Sequence, residues 1–305
     1  VRYRNLVLFC ALAAAWGSAF MAIKAGLGEP GNPAYFFDAP VLFAAVRYDI
    51  AGVLMLGYAA WTVDRWRPRG RSEWLLVAVG AVFLIAGYHA LLFIGERGTT
   101  SAAAAVIVSL SPVLTTAFAR ALLPQERLTV VGLVGMILGL VGVAILARPD
   151  PANLVGSRFE ALVFGATLCF ALGSVLTRRL DTDLPIETME AWSMVGGAAL
   201  MHALSLGLGE SVSGFPPLRA TVALVYLAVV ASAAGFLIYF DLLERLGPIE
   251  INLVSYVAPV FAAVAGFLFL QEVIDAPTVL GFLVILVGFL LIKRREIRTE
   301  LDRHL

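Results

Sequence analysis

Trp16, Phe20 and Lys24 recur at every fourth residue. On a helix such a set stays within about 80° of one face. The stripe is aromatic, aromatic and cationic, which suits a solute with a ring and a carboxylate. The alternative is an aromatic packing pair with Lys24 reaching the membrane surface on its own stem. Arg47 and Asp49 lie two residues apart, point about 200° from one another on a helix, and cannot pair with each other. Arg47 can grip an anionic group through its guanidinium fork or join a structural ion pair, and Tyr48 lies beside it. His89 and Glu96 are seven residues apart, nearly on one face and about 10.5 Å apart along the axis. Histidine titrates near neutral pH, so His89, Glu96 and Asp49 are the candidates for ion coupling. His89 also reads as a packed helix-contact residue, and Asp49 as a residue at the outer interface. His202 has no such companion and reads as structural. Asn252, Tyr256 and Pro259 share a face at steps of four and three, with Ser109 the counterpart of Tyr256 in an internal repeat. Trp16, Phe20, Lys24, Arg47, Tyr48, His89, Ser109, Asn252 and Tyr256 form the expected substrate-binding set. Pro112 and Pro259 each remove a backbone hydrogen bond in the middle of a helix and are the expected hinges.

These polar groups stand in a very apolar chain. Of its 305 residues 60% are hydrophobic and 14% charged, with no formal net charge, and the mean hydropathy is +0.90. A soluble domain so apolar would expose large patches and aggregate, and disorder needs the opposite composition. No basic field exists to attract nucleic acid. The chain is therefore expected to be an all-α integral membrane protein. A hydrocarbon core of ~30 Å needs about 20 apolar residues per helix. Ten runs qualify: 5–26, 41–63, 73–95, 99–121, 128–147, 158–179, 188–208, 219–242, 249–270 and 276–293. With both termini cytoplasmic, 16 Lys and Arg fall inside and 4 outside, the asymmetry that orients membrane proteins. The first run is too long for a signal-peptide core of about 7–15 residues. Cys10 and Cys169 sit singly in apolar runs and read as packing residues.

The two halves repeat each other. Residues 111–126 read SPVLTTAFARALLPQE and residues 258–272 read APVFAAVAGFLFLQE. Gly135 and Gly142 follow Glu126 at the same distances as Gly281 and Gly288 follow Glu272. These glycines read as helix-packing positions. Trp16-Gly17-Ser18 corresponds to Leu172-Gly173-Ser174. Five spans per copy is odd, so the second copy would be inverted in the membrane. Inverted repeats with interrupted helices near the midplane are a carrier architecture.

The Trp-Gly-Ser start followed by Lys24, Pro40 followed by Arg47-Tyr48, and the proline helix leading to Gln125-Glu126-Arg127-Leu128 resemble the EamA family of the drug/metabolite transporter superfamily. So does the glycine-spaced last helix of each half. The resemblance covers nearly the whole chain and extends to archaeal members. It implies a ten-helix permease of two inverted EamA-like repeats, at 5–147 and 158–293, with 294–305 as a cytoplasmic tail. It also implies a secondary transporter, with export favoured, of a small organic metabolite such as an amino acid. Leu172 stands where the first half has Trp16, and the Arg47-Tyr48 pair has no counterpart, so site roles should fall unequally on the halves. The expected cavity is lined by spans one, two, three, four, six, eight and nine. The alternatives are a channel-like facilitator, a sensor or an intramembrane enzyme. No nucleotide-binding loop, H-E-x-x-H helix or metal cluster is legible, so no enzyme activity, cofactor or metal is expected. The expected partners are a small-molecule substrate and the lipid bilayer, with a homodimer left open. The expected location is the plasma membrane.

Overall fold

A backbone in hydrocarbon must satisfy its own hydrogen bonds, and the helix does this within one segment. The computed structural model describes residues 3–29, 32–99, 101–123, 129–147, 158–180, 182–270, 276–292 and 294. It is almost wholly helical. The first half holds α1 (Arg4–Leu27), α2 (Pro40–Thr62), α3 (Arg71–Val79), α4 (Tyr88–Glu96), α5 (Ser101–Val108), α6 (Ser111–Leu122) and α7 (Val130–Ala147). The second holds α8 (Arg158–Arg179), α9 (Ile186–Leu208), α10 (Leu218–Tyr226), α11 (Gly235–Leu246), α12 (Pro248–Ile251), α13 (Val254–Leu270) and α14 (Ala276–Ile292). A two-residue antiparallel pair, β1 (Gly28–Glu29) with β2 (Asn32–Pro33), closes the turn after α1.

Six helical stretches are long and apolar enough to cross a bilayer: Arg4–Leu27, Pro40–Thr62, Arg71–Glu96, Arg158–Arg179, Ile186–Leu208 and Leu218–Leu246. Four shorter apolar stretches accompany them: Val106–Leu122, Val130–Ile145, Pro248–Phe261 and Val279–Ile292. Val53, Leu133, Ile137, Leu286 and Leu290 are exposed on the outer surface, as a lipid-facing surface requires. The molecule is a multi-pass membrane protein.

Two of the long stretches are not uniform α-helix. Between α3 and α4 the chain runs as a π-helix over Gly80–Gly87, and between α10 and α11 over Leu227–Ala234. Both segments have eight residues and their starts lie 147 residues apart, the separation of Pro112 and Pro259. π-helical turns are rare and shift the register of everything beyond them. The fourth and ninth expected spans are broken rather than continuous. The first breaks at Ser109–Leu110, between α5 and α6, and the second at Asn252–Leu253, between α12 and α13. Pro112, expected at a helix centre, therefore stands in the first turn of α6, where its missing N–H costs nothing. Pro259 does lie inside a helix, α13.

The halves interlock. α1 packs on α10, α11 and α13, while α8 packs on α4, α5 and α6; α2 pairs with α9, and α7 with α14. The last pairing rests on glycine. A Cβ on Gly135 would lie 2.6 Å from the Gly288 carbonyl oxygen, and one on Gly142 2.9 Å from that of Gly281, so the backbones touch as small residues allow. The α2–α9 pair is locked end to end. Gly209, at φ 70°, ends α9 with its N–H on Leu206 O and the Glu210 N–H on Ser205 O, a left-handed glycine cap. That turn carries the Glu210 carboxylate to the backbone N–H groups of Val41 and Leu42, at 3.2 and 2.8 Å, in the first turn of α2. Unpaired N–H groups and the positive dipole end both favour an anion there. Glu126, Glu272 and, but for Arg294, the tail lie outside the described residues.

Candidate functional site

A cavity lies where the two halves meet. Its walls come from α1, α2, α4, α5, α6, α8, α11 and the α12–α13 break. The repeat relation is visible in the lining. His89 and Phe236, Val108 and Ser255, and Ser111 and Ala258 are pairs 147 residues apart, and all six face the cavity.

Of the residues expected to bind substrate, Trp16, Phe20, Arg47, His89 and Asn252 line this space, as does Pro259. Trp16 packs against Phe170, Phe236 and Tyr239, with ring centroids 5.3–5.7 Å apart. Its indole N–H donates to the Ala231 carbonyl at 3.0 Å, within the second π segment, which fixes the ring. Arg47 is 3% exposed. Its Nε donates to Ser232 Oγ at 2.6 Å, again in the second π segment, and its charge lies 5.2 Å from the Tyr48 ring and 5.9 Å from that of Phe93. No carboxylate pairs with Arg47 among the described residues, so its charge is left to the cavity. His89 Nδ1 faces the Ile85 carbonyl at 2.9 Å, and Nε2 faces Tyr48 Oη at 2.8 Å. A carbonyl only accepts, so Nδ1 carries the hydrogen and Tyr48 donates to Nε2. Asn252 joins four elements. Its amide donates to Thr115 Oγ1 and Ser174 Oγ at 2.8 and 2.9 Å, and Tyr239 donates to its carbonyl oxygen at 3.1 Å.

The other expected residues are placed elsewhere. Lys24 is half-buried and does not line the cavity: its ammonium donates to the Glu96 and Thr99 carbonyls at 2.8 and 3.4 Å. It caps the end of α4, where unpaired carbonyls favour a cation. Tyr48 is buried behind Arg47 and held by His89. Asp49 points away from the cavity, 2.7 Å from His202, and the two side chains are 46% and 38% exposed. His202 thus has the companion that its sequence neighbourhood did not reveal, since the pair forms only across α2 and α9. Ser109 donates to the Ser255 carbonyl at 3.1 Å. Pro259 lacks the N–H that would otherwise take that carbonyl, so one broken helix satisfies the other. Tyr256 turns from the cavity and donates to the Met136 carbonyl at 2.9 Å, its ring against Gly139. Tyr256 thus leaves the face on which Asn252 and Pro259 line the cavity. Glu96 is 0% exposed and outside the lining.

Sequence reasoning missed Tyr88, Ser111, Thr167, Phe170 and Phe236 in the walls. Applying the 147-residue repeat to His89 would have found Phe236. Phe170 carried no signal, because an apolar residue in an apolar helix does not announce which side it faces. Glu190 was missed as well: it is 0% exposed, and neither carboxyl oxygen has a hydrogen-bond partner among the described residues.

Comparison with known proteins agrees with this arrangement. The model of the EamA-like transporter family matches twice, over residues 4–148 and 158–294. An uncharacterised transporter of Archaeoglobus fulgidus is 26% identical over 92% of this chain and 95% of its own length. YedA, an uncharacterised inner membrane transporter of Escherichia coli K12, is 28% identical over 87% of this chain and 84% of its own. A chloroplastic WAT1-related protein of Arabidopsis thaliana is 26% identical over 92% of this chain and 67% of its own. A crystal structure with 22% identity superposes with a TM-score of 0.78 over 98% of this chain and all of that one, and so shares the fold. Two tandem matches leave little of the chain unassigned, and the protein belongs to the EamA-like transporter family of the drug/metabolite transporter superfamily.

Proposed function

We propose that the protein is a secondary carrier that moves a small organic solute by alternating access through the cavity between its halves. In this reading the chain crosses the bilayer ten times as two inverted repeats, with both termini cytoplasmic. The relative named as an inner membrane transporter supports a plasma-membrane location. The observation that carries the proposal is the cavity itself. It combines aromatic walls with one guanidinium, that of Arg47, which no described carboxylate neutralises. Ser111 adds a buried hydroxyl without a partner among the described residues. Such a site suits an apolar or aromatic body bearing an anionic group, as an amino acid does. A planar guanidinium fork matches a carboxylate, and aromatic walls supply area at low entropic cost. The breaks at Ser109–Leu110 and Asn252–Leu253, with Pro112 just after the first and Pro259 inside the helix that follows the second, supply the hinges that rocking halves require.

The test is a thermal-shift screen of small metabolites on the purified protein, because a specific binder stabilises by RT ln(1 + [L]/Kd). Binders are then assayed in proteoliposomes. Saturable counterflow marks a carrier, whereas ohmic current marks a channel. Binding and flux unchanged in both Trp16→Ala and Arg47→Ala would remove this cavity as the site. Export, the direction implied by the resemblance, is read by comparing right-side-out and inverted vesicles.

A further inference from the structure

Glu96 and Glu190 stand out among the buried polar groups. Each is 0% exposed, and none of their four carboxyl oxygens has a hydrogen-bond partner among the described residues. An ionised carboxylate that no protein donor meets is very costly in a low-dielectric interior. Packing alone does not account for them, since a leucine would fill the volume at less cost. The two lie toward opposite ends of the molecule. Glu96 adjoins the end where Arg97 pairs with Asp38. Glu190 adjoins the end where Thr188 and Trp192 donate to the carbonyls of Arg65 and Trp66. On the side of Glu96, the charge of Arg47 lies 5.9 Å from the ring of Phe93, which stands about one turn before Glu96 on α4.

We propose that Glu96 and Glu190 are proton-binding sites and that the loading of Glu96 is coupled to anion occupancy of the cavity at Arg47. The proposal rests on the carrier reading above. A proton needs only the carboxyl, whereas a metal ion needs several oxygens around it, and no group of three or more His, Cys, Asp or Glu is gathered among the described residues. His89 is a poorer acceptor because both its nitrogens are engaged.

The sign of the coupling follows from the charges. Around Glu96 these are Lys24 on α1 and Arg47 on α2. α5 brings no titratable side chain, and α8 brings Arg158 and Glu160 at its start. Around Glu190 they are Glu187 on its own helix and Tyr48 on α2. Glu73 on α3 is held by Arg65 and the Arg69 N–H, and Asp241 on α11 by Arg4 and Arg245, with Glu244 beside them. An ionised Glu96 draws on the positive field of Arg47 that an anionic solute also needs. A proton on Glu96 frees that field, so proton and anion bind cooperatively, and by linkage each tightens the other. They then travel in the same direction, and export would need an outward solute gradient that outweighs the proton gradient.

Infrared difference spectra of the full-length protein, titrated from acid to alkaline pH, test the sites without any substrate. The wild type should lose protonated-carboxyl absorbance, one part of which is absent from Glu96→Gln and the other part from Glu190→Gln. Glu190→Asp and Glu96→Asp should retain a band, shifted in position. Titrating bands identical in the wild type and both glutamine variants would overturn the proposal. In proteoliposomes with a trapped pH dye, a solute from the thermal-shift screen should carry protons with it. Glu96→Gln should keep counterflow while its proton movement falls to that of protein-free liposomes. Counterflow without proton movement in the wild type overturns the coupling. Absence of counterflow in the wild type overturns the carrier reading instead, and leaves the infrared result to decide the proton sites.

Discussion

The π segments Gly80–Gly87 and Leu227–Ala234 occupy equivalent places in the two halves, yet different chemistry holds them. The second is held by polar side chains of the first half. Trp16 donates to its Ala231 carbonyl, and Arg47 donates to its Ser232 hydroxyl. The first is held more locally. Its Ile85 carbonyl faces His89 of the same helix, and across the interface Ser193 crowds Gly80 and Cys169 crowds Gly87. Backbone irregularity is thus duplicated, while the cationic and indole donors exist in one copy only. Duplication preserves what the fold needs, whereas the single guanidinium belongs to the cavity proposed as the solute site.

Substitutions at the two segments can break or sharpen this comparison. The largest effect is expected from Arg47→Ala, which should abolish the ligand-induced thermal shift, while Arg47→Lys, keeping the charge but not the fork, retains part of it. An unchanged shift in Arg47→Ala would mean that the second segment's partners are structural, like those of the first. Next comes glycine. A Cβ on Gly87 would lie 2.7 Å from the Val82 carbonyl oxygen, whereas one on Gly235 would lie 3.3 Å from Val230 O and 2.9 Å from Trp16 Nε1. Backbone cannot yield as a side chain can, so Gly87→Ala should cost about 2–3 kcal/mol by overpacking. Gly235→Ala should cost about 1 kcal/mol and register chiefly in binding, by displacing Trp16. Equal losses of thermal stability in detergent would contradict the difference.

Trp16→Phe leaves the Ala231 carbonyl without its donor, for which about 1–3 kcal/mol is expected. Cys169→Ala, at the other segment, should cost under about 1.5 kcal/mol. The smallest effect concerns the broken helices. Ser109→Ala should cost about 1 kcal/mol, as for loss of one hydrogen bond, by freeing the Ser255 carbonyl. In a Pro259→Ala background the new N–H can take that carbonyl, so the cost of Ser109→Ala should vanish. A double-mutant cycle in thermal unfolding measures this coupling, and additive effects would refute it.

Much of this was legible because it is written locally. Apolar runs of sufficient length, basic residues between them and a proline-to-glutamate motif occurring twice mark a duplicated membrane protein without any long-range information. The helices expected around the cavity are those that wall it, since the repeat itself says which segments are equivalent. Trp16, Arg47 and Asn252 were found because polar or aromatic groups are conspicuous on apolar helices. The π segments were not legible. GAVFLIAG and LAVVASAA are apolar on every side, so no periodicity exists for a change of helical register to disturb.

Composition and order along the chain therefore determined the solvent in which the protein folds, its segments, its duplication and the short set of groups able to do chemistry. Tertiary structure alone decided what each group faces. It gave Lys24 to the carbonyls ending α4, Asp49 to His202 and Ser109 to the carbonyl that Pro259 freed. It left Arg47 open to the cavity, and Glu96 and Glu190 buried without partners among the described residues. The reason is physical. Hydrophobicity is additive along a sequence and can be read residue by residue. The cost of a buried charge depends on what lies a few ångströms away, and for Arg47 that neighbour, Ser232, comes from 185 residues along the chain.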